Sequence, residues 1–142
     1  MIHLEFNSES ENEQIARVVT AAYMMRFDPD LEEMEDVKTA VSEAVTNCIV
    51  HAYSNKKGKI WMDISDNDNI LKIKIRDEGI GISDIKKAME PMFTTKPEEE
   101  RTGMGFSFME AFMDEVEVFS KKGIGTSVIM EKRMGDTKEV DG

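Results

Sequence analysis

A single cysteine, Cys48, stands among the 142 residues. One thiol cannot build an internal disulfide framework, so a reducing cytoplasm is the expected compartment. No apolar run approaches the ~20 residues needed to span a bilayer, and "MIHLEFNSES" lacks the basic-then-apolar layout of a signal peptide. No membrane association is therefore expected. Positive charge is scarce too: 18 Lys and Arg against 29 Asp and Glu leave a formal net charge of −11. A nucleic-acid surface needs clustered cations, so no direct nucleic-acid contact is expected, whereas the field would suit a basic protein partner. There is no internal repeat and no linker. The length suits one domain over residues 1–142, with 135–142 reading as a frayed tail.

What is present is a mixture of periodicities. "IHLEF" alternates and predicts a half-buried strand. Ile15, Val18, Val19, Ala22 and Met25 recur at helical spacing, which predicts a first helix with Arg17 exposed on the side opposite Ile15 and Val19. "DPD" breaks that helix. Asp30 and Glu33 offer a capping box for a longer second helix that runs to about Tyr53. "IWMDIS" and "ILKIKIR" alternate around "DNDN" and predict a hairpin, and "EVEVFS" with "TSVIMEK" predicts another across "KKGIG". A short helix is expected near 84–89, and "GMGFSFMEAFMD" opens a further one. This order predicts an antiparallel or mixed sheet with helices on one face.

In "RDEGIGIS", two acids precede a glycine-rich turn. Asp77 has the strand parity of Leu71, Ile73 and Ile75, so it should point inward. A buried carboxylate needs donors, and a phosphate beside it would add a second anion in low dielectric. A ligand group facing Asp77 must then be a donor, such as the exocyclic amine of a purine. Gly79 and Gly81 would let the backbone pass close to a flat ring. The plainer alternative is an Asx-type turn whose glycines serve turn geometry.

The phosphates must then lie elsewhere, and "RTGMGFSFME" offers an end for them. Gly103 and Gly105 begin an apolar-periodic helix, whose first turn presents unpaired N–H groups. Lys96 and Arg101 could pair with phosphates, or could simply neutralise the glutamates of "PEEE". Neither glycine segment is a P-loop, since no Gly-Lys-Ser/Thr follows, and neither completes a dinucleotide fingerprint. Glu43 and Asn47, four residues apart, share one face of the long helix at the margin of the stripe Val37, Val41, Ala44, Val45 and Cys48. An amide oxygen suits Mg²⁺, and a carboxylate one turn away could accept a proton from an attacking hydroxyl. Alternatively, both are polar rim residues of an amphipathic helix. His51 continues their ridge and reads as a structural helix-end histidine.

In order and spacing, "EAVTN", "DEGIGI", "RTGMGF" and "GIGTS" resemble the N box, two glycine boxes and closing threonine of the ATPase superfamily of gyrase, the heat-shock chaperones, histidine kinases and MutL. "SEAVTNCIVHAY" and "EPMFTTKPEEERTGMGFSFMEAFMDEVEV" more closely resemble the anti-sigma-F factors of spore-forming bacteria, which are serine kinases. The resemblance implies a Bergerat-type α/β sandwich: helices over one face of a mixed, mostly antiparallel sheet, with ATP under a mobile lid at about Glu90 to Thr102. It implies Glu43 as general base, Asn47 as Mg²⁺ ligand and Asp77 as the acid that binds the adenine amine. It implies nucleotide contacts at Gly79 and Gly81, at Thr94, Thr95, Lys96, Arg101 and Thr102 of the lid, at Gly103, Met104, Gly105 and Phe106, and at Thr126 through water. Arg17 matches an arginine that meets protein partners. The expected partners are a sporulation sigma factor and an anti-anti-sigma protein phosphorylated on serine, and the expected assembly is a homodimer. Cys48 and Ala52 depart from the residues such a helix usually carries. Two other readings are a stress-response kinase of the sigma-B type and a binding module without turnover. A histidine kinase module would need a phosphoaccepting histidine on a dimerisation helix, and His3 and His51 do not supply one.

Overall fold

The computed structural model describes residues 1–82, 85, 89 and 105–135. The chain runs β1 (Ile2–Asn7), α1 (Ser10–Met24) with a 3₁₀ turn (Met25–Phe27), then α2 (Leu31–Asn47) with a π-helical turn (Cys48–Ala52). It continues through β2 (Lys59–Asn67), β3 (Ile70–Asp77), α3 (Gly105–Phe112), β4 (Glu115–Lys121) and β5 (Gly125–Arg133). The strands lie in the order β1-β2-β3-β5-β4, and all four pairings among the described residues are antiparallel. The mixed sheet allowed by the sequence is thus antiparallel throughout its described part.

Period-two patterning sets which face is buried. Ile60, Met62 and Ile64 of β2, Leu71, Ile73 and Ile75 of β3, and Val128 and Met130 of β5 form the inner layer. Their register aligns them in rows, such as Met62 opposite Ile75 and Ile75 opposite Val128. The β2–β3 turn uses Asp68 and Asn69, both in the left-handed region (φ 51 and 64), as a tight two-residue hairpin demands. Over this layer α2 packs between α1 and α3. It buries Val37, Ala40, Val41, Ala44 and Val45, the predicted stripe with Ala40 added. Its start is the predicted capping box: Glu33 N–H donates to Asp30 Oδ1 at 2.7 Å, and Asp30 N–H to Glu33 Oε1 at 3.0 Å.

Helix α1 departs from its predicted orientation. Ala16, Thr20, Tyr23 and Met24 face the core, while Ile15 and Val18 are exposed. Thr20 enters the core because its hydroxyl donates to the Ala16 carbonyl at 2.8 Å, and Tyr23 because its hydroxyl donates to Asp66. Arg17, two residues from the exposed Ile15, lies on the opposite side of the helix from it, as expected, and is half-exposed and paired with Glu13 at 3.6 Å.

Candidate functional site

Asp77 ends β3 on the inner face, opposite Ile60 on one side and Thr126 on the other. It is 5% exposed, as its parity predicts. Its Oδ1 accepts from Gly79 N–H at 2.9 Å and Thr126 N–H at 3.3 Å, and the Cys48 thiol is a further hydrogen-bonding neighbour. Burial raises its pKa above 3.8, although these donors pull the other way. Burial, together with the same contact, raises the Cys48 thiol well above its usual value. The Gly79 bond is the Asx-type turn of the plainer alternative.

The glycines after Asp77 have a reason that the sequence did not reveal. A Cβ on Gly79 would lie 2.3 Å from the Ala52 carbonyl oxygen, and one on Gly81 would lie 2.2 Å from the Lys121 carbonyl oxygen. Gly81 also sits at φ +77, where a side chain is strained. The turn is therefore wedged between the end of the long helix and the β4–β5 loop. Ile80 N–H donates to the Ala52 carbonyl at 3.0 Å, and Gly123 N–H to the Ile80 carbonyl at 2.6 Å.

Thr126 shares a 2.7 Å hydrogen bond with the Ser120 hydroxyl, which also accepts from Ile82 N–H at 2.7 Å. Ser120 escapes sequence reasoning, although it pairs directly with Thr126 and shares the row of Val116 and Val118. Glu43 and Asn47 are half-buried on α2, beside the buried arc. Cys48, the residue after Asn47, touches Asp77, so the end of the helix and the end of β3 meet. His51 lies within the π-helical turn, half-buried, rather than on an unbroken α-helical ridge.

Gly105 opens α3, and Phe106 packs against the core cluster. Thr94, Thr95, Lys96, Arg101, Thr102, Gly103 and Met104, with the lid segment and residues 136–142 of the tail, lie outside the described residues. In the expected short helix near 84–89 the described positions are Ile85 and Met89, and Met89 N–H donates to the Ile85 carbonyl at 3.1 Å, a bond of helical spacing.

Residues 6–132 match the histidine kinase-like ATPase domain family. The anti-sigma F factor of Caldanaerobacter subterraneus is 56% identical over 135 residues, which cover 95% of this chain and 94% of that protein. Those of Clostridium acetobutylicum and Bacillus subtilis are 52% and 46% identical, covering 93% and 96% of this chain and 92% and 94% of their own. This chain belongs to the anti-sigma F factor family. The fold extends further than the identity does. The catalytic domain of histidine kinase ThkA superposes with a TM-score of 0.60 at 18% identity, covering 94% of this chain and 97% of that domain. The blue-light-activated histidine kinase of Erythrobacter litoralis gives a TM-score of 0.58 at 23% identity, covering 79% of this chain and 34% of that kinase. As a histidine kinase-like ATPase domain, this anti-sigma F family member binds ATP. No helix among its described residues is long and apolar enough to cross a membrane.

Proposed function

We propose that the chain is a cytoplasmic anti-sigma factor and ATP-dependent protein serine kinase, which holds a sporulation sigma factor and phosphorylates a serine of an anti-anti-sigma protein. The observation that carries this reading is the meeting of α2 and β3. Ile80 N–H donates to the Ala52 carbonyl at 3.0 Å, so the helix that carries Glu43 and Asn47 ends against the turn that follows Asp77. A mere nucleotide clamp would have no need of a carboxylate where Glu43 stands. In the reaction, Glu43 accepts the proton of the substrate serine hydroxyl. The serine oxygen bonds to the terminal phosphorus as the bond to the bridging oxygen breaks, and ADP leaves.

The side-chain amide oxygen of Asn47 is a donor that fits Mg²⁺, which takes few protein oxygens and fills its shell with phosphate and water. Asn47 would hold it, and when bound it would supply neutralisation of phosphate charge. The remaining residues position: Asp77 and Thr126 orient the base, and the start of α3 directs N–H groups toward the phosphate end.

Partner recognition rests on α1. Ile15, Val18 and Met25 are 55%, 66% and 64% exposed along α1 and the 3₁₀ turn that follows it. Arg17 is tied to Glu13 of the same helix at 3.6 Å, and its half-exposed side chain could be taken up by a protein partner. A second copy of the chain, forming a homodimer, is part of the same reading. The test is incubation with labelled ATP, Mg²⁺ and candidate anti-anti-sigma proteins, with transfer of label to serine expected. Binding of ATP and sigma factor without transfer would leave an anti-sigma module without turnover.

A further inference from the structure

The α2 helix does not end as an ordinary helix end. After Asn47 it widens into the π-helical turn Cys48–Ala52, closed by Tyr53 N–H donating to the Cys48 carbonyl at 3.0 Å. Such turns insert an extra residue and re-aim the side chains beyond it, and they recur at functional sites. Here the re-aimed groups all meet one segment. Cys48 reaches Asp77. The Tyr53 hydroxyl accepts from Glu78 N–H at 2.7 Å and donates to the Lys59 carbonyl at 2.5 Å. The Ala52 carbonyl, one of the oxygens that a helix end leaves unmatched, accepts from Ile80 N–H at 3.0 Å and sits against Gly79. Four consecutive residues, 77 to 80, are thus gripped by one turn of helix. The Tyr53 ring is itself seated on Gly58, where a Cβ would lie 2.4 Å from the ring.

We propose that this π-helical turn is a clamp that sets the aim of Asp77 at the purine amine, with Tyr53 and Cys48 as its positioning side chains. The inference rests on the reading of Asp77 as the base-recognising acid. Two backbone N–H groups converge on Oδ1 alone, so they fix one oxygen without settling the plane of the carboxylate. Contacts from the helix side supply the remaining constraint: the thiol on Asp77 itself, and the phenol on the next amide. Because the same helix carries Asn47 and Glu43, the clamp also fixes the spacing between the base end and the phosphate end of a bound nucleotide.

A general loss of structure would weaken every nucleotide alike, whereas loss of aim should weaken only those that present the amine. The probes are ATP and purine riboside triphosphate, which lacks that amine, measured by calorimetry on the full chain. Wild type should prefer ATP. Tyr53→Phe keeps the ring on Gly58 and removes the hydroxyl. It should lower ATP affinity about fivefold, the worth of roughly one hydrogen bond, and leave the amine-lacking analogue within about twofold. Cys48→Ala should behave likewise, so the proposal does not hang on one variant. If wild type itself shows no preference for ATP, the reading of Asp77 fails and the clamp with it. If wild type prefers ATP and both variants keep the full preference, or lose both ligands equally, the clamp alone is overturned.

Discussion

Asp77 is buried at the end of β3, a placement that costs stability and, on the proposed reading, serves recognition. Burial raises its pKa above 3.8, so between that value and its folded pKa the folded chain binds more protons than the unfolded one. Stability contributed by this group is therefore greatest at low pH and is lost as pH rises through the folded pKa. Recognition of an amine runs the opposite way, because only the carboxylate is a strong acceptor. ATP affinity should accordingly begin to fall, on acidification, at a higher pH than an ordinary aspartate would produce, and titration calorimetry across pH would show it. Asp77→Asn should abolish useful ATP binding and discriminate less against guanine, while the nucleotide-free protein melts no lower than wild type at neutral pH. An unchanged affinity for a fluorescent ATP analogue would remove Asp77 from the base site. Glu43→Gln should divide binding from chemistry. Mg²⁺–ATP should bind within about threefold of wild type, whereas phosphotransfer to serine should drop by about 10²–10⁴, the usual worth of a general base. Transfer at the normal rate would return Glu43 to the status of a rim residue.

At the scale of elements, the sheet was legible and the first helix was not. Period-two alternation with one buried face has a single solution, so Asp77 and Thr126 could be assigned inward from the parity of Leu71, Ile73 and Val128 alone. Helix α1 carries two arcs that could each face a core. The sequence favours Ile15, Val18, Val19, Ala22 and Met25, of which Val19 packs against the core, yet the buried arc is Ala16, Thr20, Tyr23 and Met24. Counting hydrophobicity alone misleads there, because Thr20 and Tyr23 satisfy their hydroxyls and small Ala16 permits close approach to neighbouring elements. The π-helical turn after Asn47 was equally hidden, since no residue in "CIVHAY" signals a widened turn. The glycines were legible as a turn but not in their reason, which is contact with Ala52 and Lys121 at long separation in sequence. That contact can be tested. Gly81→Ala adds a Cβ 2.2 Å from a backbone oxygen at φ +77, and should cost at least about 2 kcal/mol in denaturant melts. Gly123→Ala, at φ +82 with nothing within 4 Å, should cost only the left-handed backbone, about 1 kcal/mol. Equal losses would mean that strain, and not the packed contact, explains Gly81.

Across the whole molecule, the net charge of −11 sets an acidic field. Arg17 is a half-exposed cation within it, tethered to Glu13 at 3.6 Å. The acidic field should speed encounter with basic partners and lose that advantage as salt rises. The local patch should then determine how long they stay. On the proposed reading, sigma factor and anti-anti-sigma protein use this patch in turn, so Arg17→Ala should weaken both complexes by roughly 1–4 kcal/mol. ATP affinity should be unchanged, because Arg17 lies on α1, whereas the Asp77 carboxylate accepts from Gly79 and Thr126 N–H. On the same reading, nucleotide would enter the choice of partner through a separate physical route. It can bias that choice only by binding two conformations of the protein with different affinity. The terminal phosphate is the one group that distinguishes ATP from ADP, and the sequence carries two cations, Lys96 and Arg101, in the run before α3 that could answer it. ATP is therefore expected to favour the sigma complex over ADP. Pull-downs of each partner in ATP and in ADP, with wild type and Arg17→Ala side by side, measure both effects at once. Equal capture of sigma factor in the two nucleotides would remove the switch and leave a plain kinase, and full capture by the variant would move the partner surface off α1.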